Sequence, residues 1–516
     1  MNALGALVSL ALRGTDRWLR KAVDDAAASQ RRVFDDLIER AADTWFGREH
    51  GFANIRTHAD FVRAVPIRDY VDQLEMFRRI VGGERSVSWP GRVKHFAKTS
   101  GTTAGDKSIP VTREMMRSNR RAAMGIFAFY DRREGASAGR LFGGKMLFLG
   151  GSTDLTETES GALVGDLSGI ATESIHWPVT RVYEPGEEIA LIDNWEQKVE
   201  AVARREAELD VRFVTGMPSW VKVLFDRLCE LRHVDPNGGI SEIWPNFELF
   251  VHGGVDFGPY REGFRRYFRE DHPLHFLEVY PASEGFIAIQ AERDAPGMEL
   301  LVDNGLFYEF VPLSEWGRPD APRLPLEQVE TDVPYSLVLS TCAGLWAYDL
   351  GDVVRFVSLS PPRIVFAGRN RHFINAFGEN IIGEQVSEAV QAAQNTTGAE
   401  VEAFTAAPLY PSQERKKGAH EYVVEFRRPP DGGEDAFAAA VDEELQELNH
   451  DYSVKRSGDL GMSRVEVRDV PGGTFYEWMK RKGKLGGQHK VPVCANGREY
   501  ADEILAVAED LRARTA

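Results

Sequence analysis

Four segments of the chain share one form: KMLFLGGS (Lys145–Ser152), VRFVTGMPS (Val211–Ser219), FELFVHGGV (Phe247–Val255) and HFLEVYPAS (His275–Ser283). Each is a short apolar run that ends in a turn of small or polar residues, and helical stretches lie between them. Such runs suit strands buried in a sheet that helices cover. The repetition predicts an α/β layer, and sheets of that kind bind ligands beyond the carboxyl ends of their strands.

The flanking sequence has other textures. The first ninety or so residues read as helices, with Val33, Leu37, Ile38 and Trp45 near helical spacing. Pro66 breaks one helix there, and Gly82-Gly83 end another. GLFYEFVPL, YSLVLSTCAGLWAYDLGDVVRFV and RIVFAGR read as meandering, barrel-like β structure. After Arg369 the strands EVEAFTAAPL, HEYVVEFRR and SRVEVRDV alternate with the helices DAFAAAVDEELQELNH and FYEWMKRKG. Phe437, Val441, Leu445 and Leu448 form one apolar helix face. The expected division is a large N-terminal α/β domain, 1–369, and a small α+β domain, 370–516.

Composition narrows the function. A chain of 516 residues needs more than one core, and 43% hydrophobic with 27% charged residues is ordinary for a folded one. Sixty-two Lys and Arg against 79 Asp and Glu give a net charge of -17, which argues against a broad basic face for nucleic acid. It leaves room for a local nucleotide pocket. Cys229, Cys342 and Cys494 are too few and too far apart for a disulfide framework or a metal spacing, so reduced thiols in the cytoplasm are expected. The apolar run in MNALGALVSLALRGTDRWLRKAV has no basic residue before it and no cleavage site after it, and it is too short to cross a bilayer. A surface helix is expected there. No membrane association is expected, and a monomer is.

One loop raises a choice. KTSGTTAGDKSIPVT (Lys98–Thr112) matches a Walker A loop at Gly101, Lys107 and Ser108, but Asp106 stands where that loop requires glycine, and Pro110 interrupts the helix that should follow. Backbone amides of such a turn can still wrap a phosphate, and the hydroxyls of Thr99, Ser100, Thr102 and Thr103 can donate to one. No apolar strand offers a convincing Walker B aspartate.

Written as TSGTTAGDK, the loop resembles the phosphate loop of adenylate-forming enzymes, with Ala104 for a glycine and Asp106 for a proline. FVHGGVDF (Phe250–Phe257), VYPASEG (Val279–Gly285) and YDLGDVVRF (Tyr348–Phe356) followed by FAGR (Phe366–Arg369) resemble that superfamily's further motifs, in its order. Together with WPNFELFVHGG and GGQHKVPVC, the set resembles the auxin-responsive Gretchen Hagen family of acyl acid amido synthetases across nearly the whole chain. The modest length points to a bacterial-type member.

The resemblance implies a reaction with Mg-ATP: a carboxylic acid forms an acyl-adenylate and releases pyrophosphate, and an amine, typically of an amino acid, then displaces AMP. A thiol acceptor, as in acyl-CoA ligases, and a catalytically silent nucleotide-binding protein are the rival readings. The resemblance also assigns parts. Thr99, Ser100, Gly101, Thr102 and Thr103 would hold phosphate, with Lys107 as the loop cation or merely a solvated charge. Gly253, Gly254 and Val255 would lie beside adenine and the acyl group. Tyr280 would stack on adenine, Ser283 would meet phosphate, and Glu284 would be the single carboxylate on magnesium. Asp352 would accept from the ribose hydroxyls, and Arg369, at the hinge to a mobile small domain, would reach ribose or phosphate. Lys490 in GGQHKVPVC would serve adenylation, while Lys482 and Lys484 are solvated neighbours. His252 is a general base for the amine or, alternatively, a structural histidine. The helix around MMRSNRRAAMGIFAFYDRR lines the acyl pocket in the family, or is plain core.

Overall fold

The four strand–turn segments become neighbouring parallel strands of one eleven-stranded sheet, which Tyr183–Glu184 joins in parallel at its edge. In a computed structural model, residues 3–515 are described except 101–105, 136–137, 151–154, 174–180, 193–194, 254–256, 258–260, 294, 319, 371–372, 375–378, 380, 411–416, 450–451, 454–455, 457–461, 486–489 and 496. Lys145–Leu149, Val211–Gly216, Leu249–Gly253 and His275–Ala282 lie side by side and parallel. Their inward residues are dry: Leu147, Val214, Leu249, Val251 and Leu277 are each 0% exposed. This is why their sequence shows no alternation.

The meandering segments extend the same sheet. Gly285–Ile289 turns back antiparallel on His275–Ala282 and is followed by Met298–Leu300, Pro362–Arg369, Tyr348–Leu359, Pro334–Thr341 and Leu306–Pro312. The barrel-like portion is thus hydrogen-bonded to the parallel strands and is not a separate layer. A second sheet of four strands contains His95–Ser100 and Asp106–Val111.

The Arg113–Glu134 helix covers the parallel strands. Thr112 caps its start, accepting from Met115 N at 3.1 Å, and Gly135 at φ +66° ends it. Its apolar side, including Ala122, Ile126, Phe127, Phe129 and Tyr130, enters one core with Phe213, Leu249 and Val279. Arg113, Arg117, Arg120 and Arg121 are exposed on the opposite side, as an amphipathic helix requires, while the Arg133 side chain near its end is buried and donates to the Phe276 carbonyl. The helical N-terminus is confirmed with one change: Trp45 opens a short helix of its own behind the Thr44 cap, and Arg79 stands 4.3 Å over its ring.

The chain divides into two compact units, Met1–Gly254 with Arg265–Val365 and Gly486–Gln488, and Val255–Phe264 with Phe366–Leu485 and His489–Ala516. In the second, Glu400–Leu409 and Ala419–Arg428 pair antiparallel, and Glu466–Val470 joins parallel after the Gly433–Leu448 helix. Phe437, Val441 and Leu445 pack with Val386 and Val390 of Gly383–Thr397, a helix the sequence reading did not single out. Glu499–Thr515 is another such helix. No helix among the described residues is long and apolar enough to cross a membrane.

Glu206, in the first unit, is costly to bury. Glu206 is 0% exposed, its oxygens have no hydrogen-bond partner among the described residues, and Arg205 Nε is 3.9 Å away. Burial, and then the charge of Glu184, push its pKa from 4.5 up to about 8. Between those values the folded state keeps a proton that the unfolded chain has lost. This group's contribution to stability is therefore complete below pH 4.5 and is lost as pH rises through about 8. Glu206→Gln is expected to flatten the fall in stability between about pH 5 and pH 8, by an amount on the order of 1 kcal/mol or more in urea titrations. An unchanged slope would show that Glu206 is ionised in the folded protein.

Candidate active site

The loop that resembled a Walker A motif is a hairpin. Ser100 pairs with Asp106 and Thr99 with Lys107, so Lys107 and Ser108 lie within a strand. A Walker loop instead leads these residues directly into a helix whose amides face the phosphate. Pro110 is accommodated because Asp106–Val111 is the edge strand of its sheet. Gly101, Thr102 and Thr103 lie outside the described residues, as do the side chains of Thr99 and Ser100.

Tyr70 holds the second strand of this hairpin. Ser108 N donates to its hydroxyl at 3.0 Å, Lys107 Nζ stands 5.8 Å from its ring centroid, and the ring stacks on Phe77. The sequence reading missed Tyr70, since nothing in VPIRDYVDQ distinguishes it from any core aromatic.

The YPASEG motif is a second hairpin. Ala282 pairs with Gly285, which leaves Ser283 and Glu284 as its two-residue tip. Hairpin tips ordinarily sit in water, yet Ser283 is 3% and Glu284 8% exposed. Ser283 Oγ has no hydrogen-bond partner among the described residues.

The YDLGD motif is a bulge. Val353 pairs with Ser336 and Asp349 with Val338, so Leu350, Gly351 and Asp352 stand opposite Leu337 alone. Gly351 takes φ +83°, a backbone conformation that glycine enters without strain, and its N–H donates to Asp349 Oδ1 at 2.8 Å. Asp349 therefore shapes the turn. Asp352 meets the neighbouring hairpin: Tyr280 Oη donates to Asp352 Oδ2 at 2.5 Å, with both residues buried.

Tyr348 closes the group. Its hydroxyl is buried and has no hydrogen-bond partner among the described residues. Burial, and then the negative charges of Glu284, Asp349 and Asp69, hold it well above its ordinary pKa. It stays a protonated donor beside the Glu284 carboxylate.

The structure thus brings Tyr280, Ser283, Glu284 and Asp352 together and adds Tyr348. His252 is 2% exposed at the carboxyl end of its strand, opposite Glu278. Gly253 pairs with Val279, and a Cβ there would come within 2.3 Å of the Val279 carbonyl oxygen. The glycine is required by this close approach whatever else it does. Gly254 and Val255 lie outside the described residues. Arg369 ends its strand exposed, and Lys490 is exposed in the second unit. Lys482 pairs with Glu503 at 2.6 Å, as suits a solvated surface charge. Among the described residues no three His, Cys, Asp or Glu side chains gather into a metal cage.

Comparison with known proteins bears on this geometry. The chain matches the GH3 family N-terminal domain at residues 15–188 and 179–274, the central domain at 299–369 and the C-terminal domain at 384–499. It belongs to the GH3 family. This GH3 chain is 23% identical to indole-3-acetic acid-amido synthetase GH3.3 of Arabidopsis thaliana, over 90% of this chain and 89% of that one. It is 23% identical to the GH3.8 enzyme of the same name from Oryza sativa subsp. indica, over 93% and 90%. Its fold matches that of the GH3.15 acyl acid amido synthetase with a TM-score of 0.74 at 19% identity, covering 94% and 95% of the two chains. A 2-hydroxyisobutyryl-CoA ligase in its postadenylation state shares the fold more distantly, with a TM-score of 0.58 at 13% identity over 95% and 93%. The chain is accordingly an enzyme of the amido synthetase type with the adenylate-forming fold.

Because backbone, and not a flexible side chain, fills the space at Gly253, Gly253→Ala is expected to destabilise this GH3 chain by about 1–3 kcal/mol, read as a lower urea midpoint. A neutral result would mean that the two strands separate easily.

Proposed function

We propose that this GH3 chain uses Mg-ATP to join a carboxylic acid to the amine of an amino acid, acting as a cytoplasmic monomer. The observation that carries the reading is the enclosed Ser283–Glu284 hairpin tip, set against an Asp352 fixed by Tyr280, in a chain that matches all three GH3 domain models.

In the first half-reaction a carboxylate oxygen of the acid attacks the α-phosphorus, an acyl–phosphate bond forms and the bond to pyrophosphate breaks. Charge grows on phosphate oxygens, so fixed donors and cations must meet it. The amides and hydroxyls of Thr99, Ser100, Gly101, Thr102 and Thr103 take that role, with Lys107 held over Tyr70. Ser283 Oγ, buried without a partner among the described residues, supplies a further donor. Magnesium, when bound, neutralises phosphate charge. The fit is through Glu284, because magnesium held by one carboxylate and substrate phosphates needs no three-ligand cage. Tyr280 orients Asp352 for the ribose hydroxyls and offers its ring to adenine beside Gly253, Gly254 and Val255. Arg369 reaches ribose or phosphate. Lys490 contacts the phosphate of the forming adenylate.

In the second half-reaction the amine nitrogen attacks the acyl carbon, AMP leaves with the bonding pair, and a proton leaves the nitrogen. His252, at the carboxyl end of its strand, is the base this reading assigns.

A pyrophosphate-release assay across aromatic, indolic and aliphatic acids, with and without amino acids, tests the proposal, with mass spectrometry to find the amide. Acid-dependent release with an amide product is expected. Product formed only when CoA is added would transfer the function to thioester formation. Glu284→Ala and Lys490→Ala are each expected to slow release by on the order of 10²–10³-fold, as for loss of one fixed electrostatic contact. Tyr280→Phe is expected to raise the KM for ATP roughly tenfold with a smaller effect on kcat, since it frees Asp352 without removing it. A Tyr280→Phe enzyme with unchanged KM would contradict the role given to Asp352.

A further inference from the structure

Away from the hairpin tip and the bulge, the first unit holds a cleft between the Ala26–Ala41 and Arg113–Glu134 helices, floored by residues 303–305 and Cys342. Its cavity is about 350 Å³, within the range of about 300–1,000 Å³ that small-molecule sites occupy. We propose that this cleft is a binding site for a small anion of the carboxylate or phosphate type, separate from the nucleotide site.

The charges favour an anion although the chain as a whole carries -17. Four arginines and three acids line the cleft. The acids are already engaged: Glu114 pairs with both Arg40 and Arg117 at 2.9 Å, Asp36 lies 3.7 Å from Arg40, and Asp303 accepts from Trp18 Nε1 at 3.1 Å. Among the described residues, Arg32 and Arg121 have no carboxylate within ion-pair distance. Arg32 donates to Ser29 Oγ at 2.8 Å. Arg121 donates to the Asp303 carbonyl at 3.3 Å and lies over the Trp18 ring. Each of the two helices thus lines the cleft with one such arginine, and guanidinium groups match carboxylate and phosphate oxygens in a fork.

The floor supplies an independent observation. Asn304 is 1% exposed, and neither its Oδ1 nor its Nδ2 has a hydrogen-bond partner among the described residues. A buried amide left unsatisfied is costly unless something else meets it. Its backbone is fixed, because Ser118 Oγ donates to the Asn304 carbonyl at 2.6 Å. Asn304 lines the cleft, and an amide has two N–H donors and an acceptor oxygen, which suits a ligand carrying a hydroxyl beside its anionic group. Burial pushes the Cys342 thiol up to about 12, so the floor adds no negative charge.

Isothermal titration of the full-length protein with inorganic phosphate, malate and AMP tests the proposal. Saturable binding of at least one probe is expected, and Arg32→Ala and Arg121→Ala are each expected to weaken it by about tenfold or more. Asn304→Leu is expected to weaken the same binding while leaving Tm equal or higher, because it removes an unsatisfied amide at similar volume. No saturable binding of any probe would overturn the proposal, as would binding that all three variants leave untouched. Binding that Glu284→Ala abolishes and Arg32→Ala spares would place the ligand at the nucleotide site and overturn it equally.

Discussion

The hydrogen bond from Tyr280 to Asp352 ties together two segments that are 72 residues apart. Its acceptor is a carboxylate and both ends are buried, which makes it stronger and more directional than a neutral surface bond. It fixes the Asp352 rotamer, and it sets the stem of the Ser283–Glu284 hairpin against the Tyr348–Leu359 strand. The bulge makes this possible. Three residues opposite one, with Gly351 in the left-handed region and Asp349 bracing the turn, bring Asp352 to Tyr280.

Around this bond the protein breaks the ordinary rules of burial. Ser283 Oγ and Tyr348 Oη are enclosed without partners among the described residues, beside a buried Glu284. A polar group buried without a partner costs about 1–3 kcal/mol. Such costs concentrate where a ligand completes the hydrogen bonding, and stable packing elsewhere offsets them. The dry parallel strands and the Arg113–Glu134 helix are that packing.

Relatives only 23% identical cover nearly the whole chain, so the GH3 architecture tolerates wide sequence change. Some positions of this chain leave no such freedom. Gly253 cannot carry a Cβ against the Val279 carbonyl, and Gly351 must turn the bulge. An acid-binding pocket has no such single constraint, because many side chains from separate elements shape it. The Arg32–Arg121 cleft is similar: its residues come from two helices and two turns, and none forms a motif by itself.

The sequence by itself determined the strands, most of the helices and the order of the motifs. Those depend on local hydrophobic runs, caps and turn residues, as at Thr112, Gly135 and Gly351. It also determined which residues of YPASEG and YDLGD to examine, since their types and order are local. Tertiary structure decided that Lys107 lies in a strand edge over Tyr70, that Asp349 serves the turn while Asp352 faces Tyr280, and that Asn304 is enclosed between helices. Tyr70 and Asn304 could not be found from sequence because their significance lies wholly in what stands next to them. The helices Gly383–Thr397 and Glu499–Thr515 passed unmarked among the more prominent strands of the second unit. Backbone preference is set within a few residues of chain, whereas a hydrogen bond across 72 residues exists only after the sheet has fixed both of its ends.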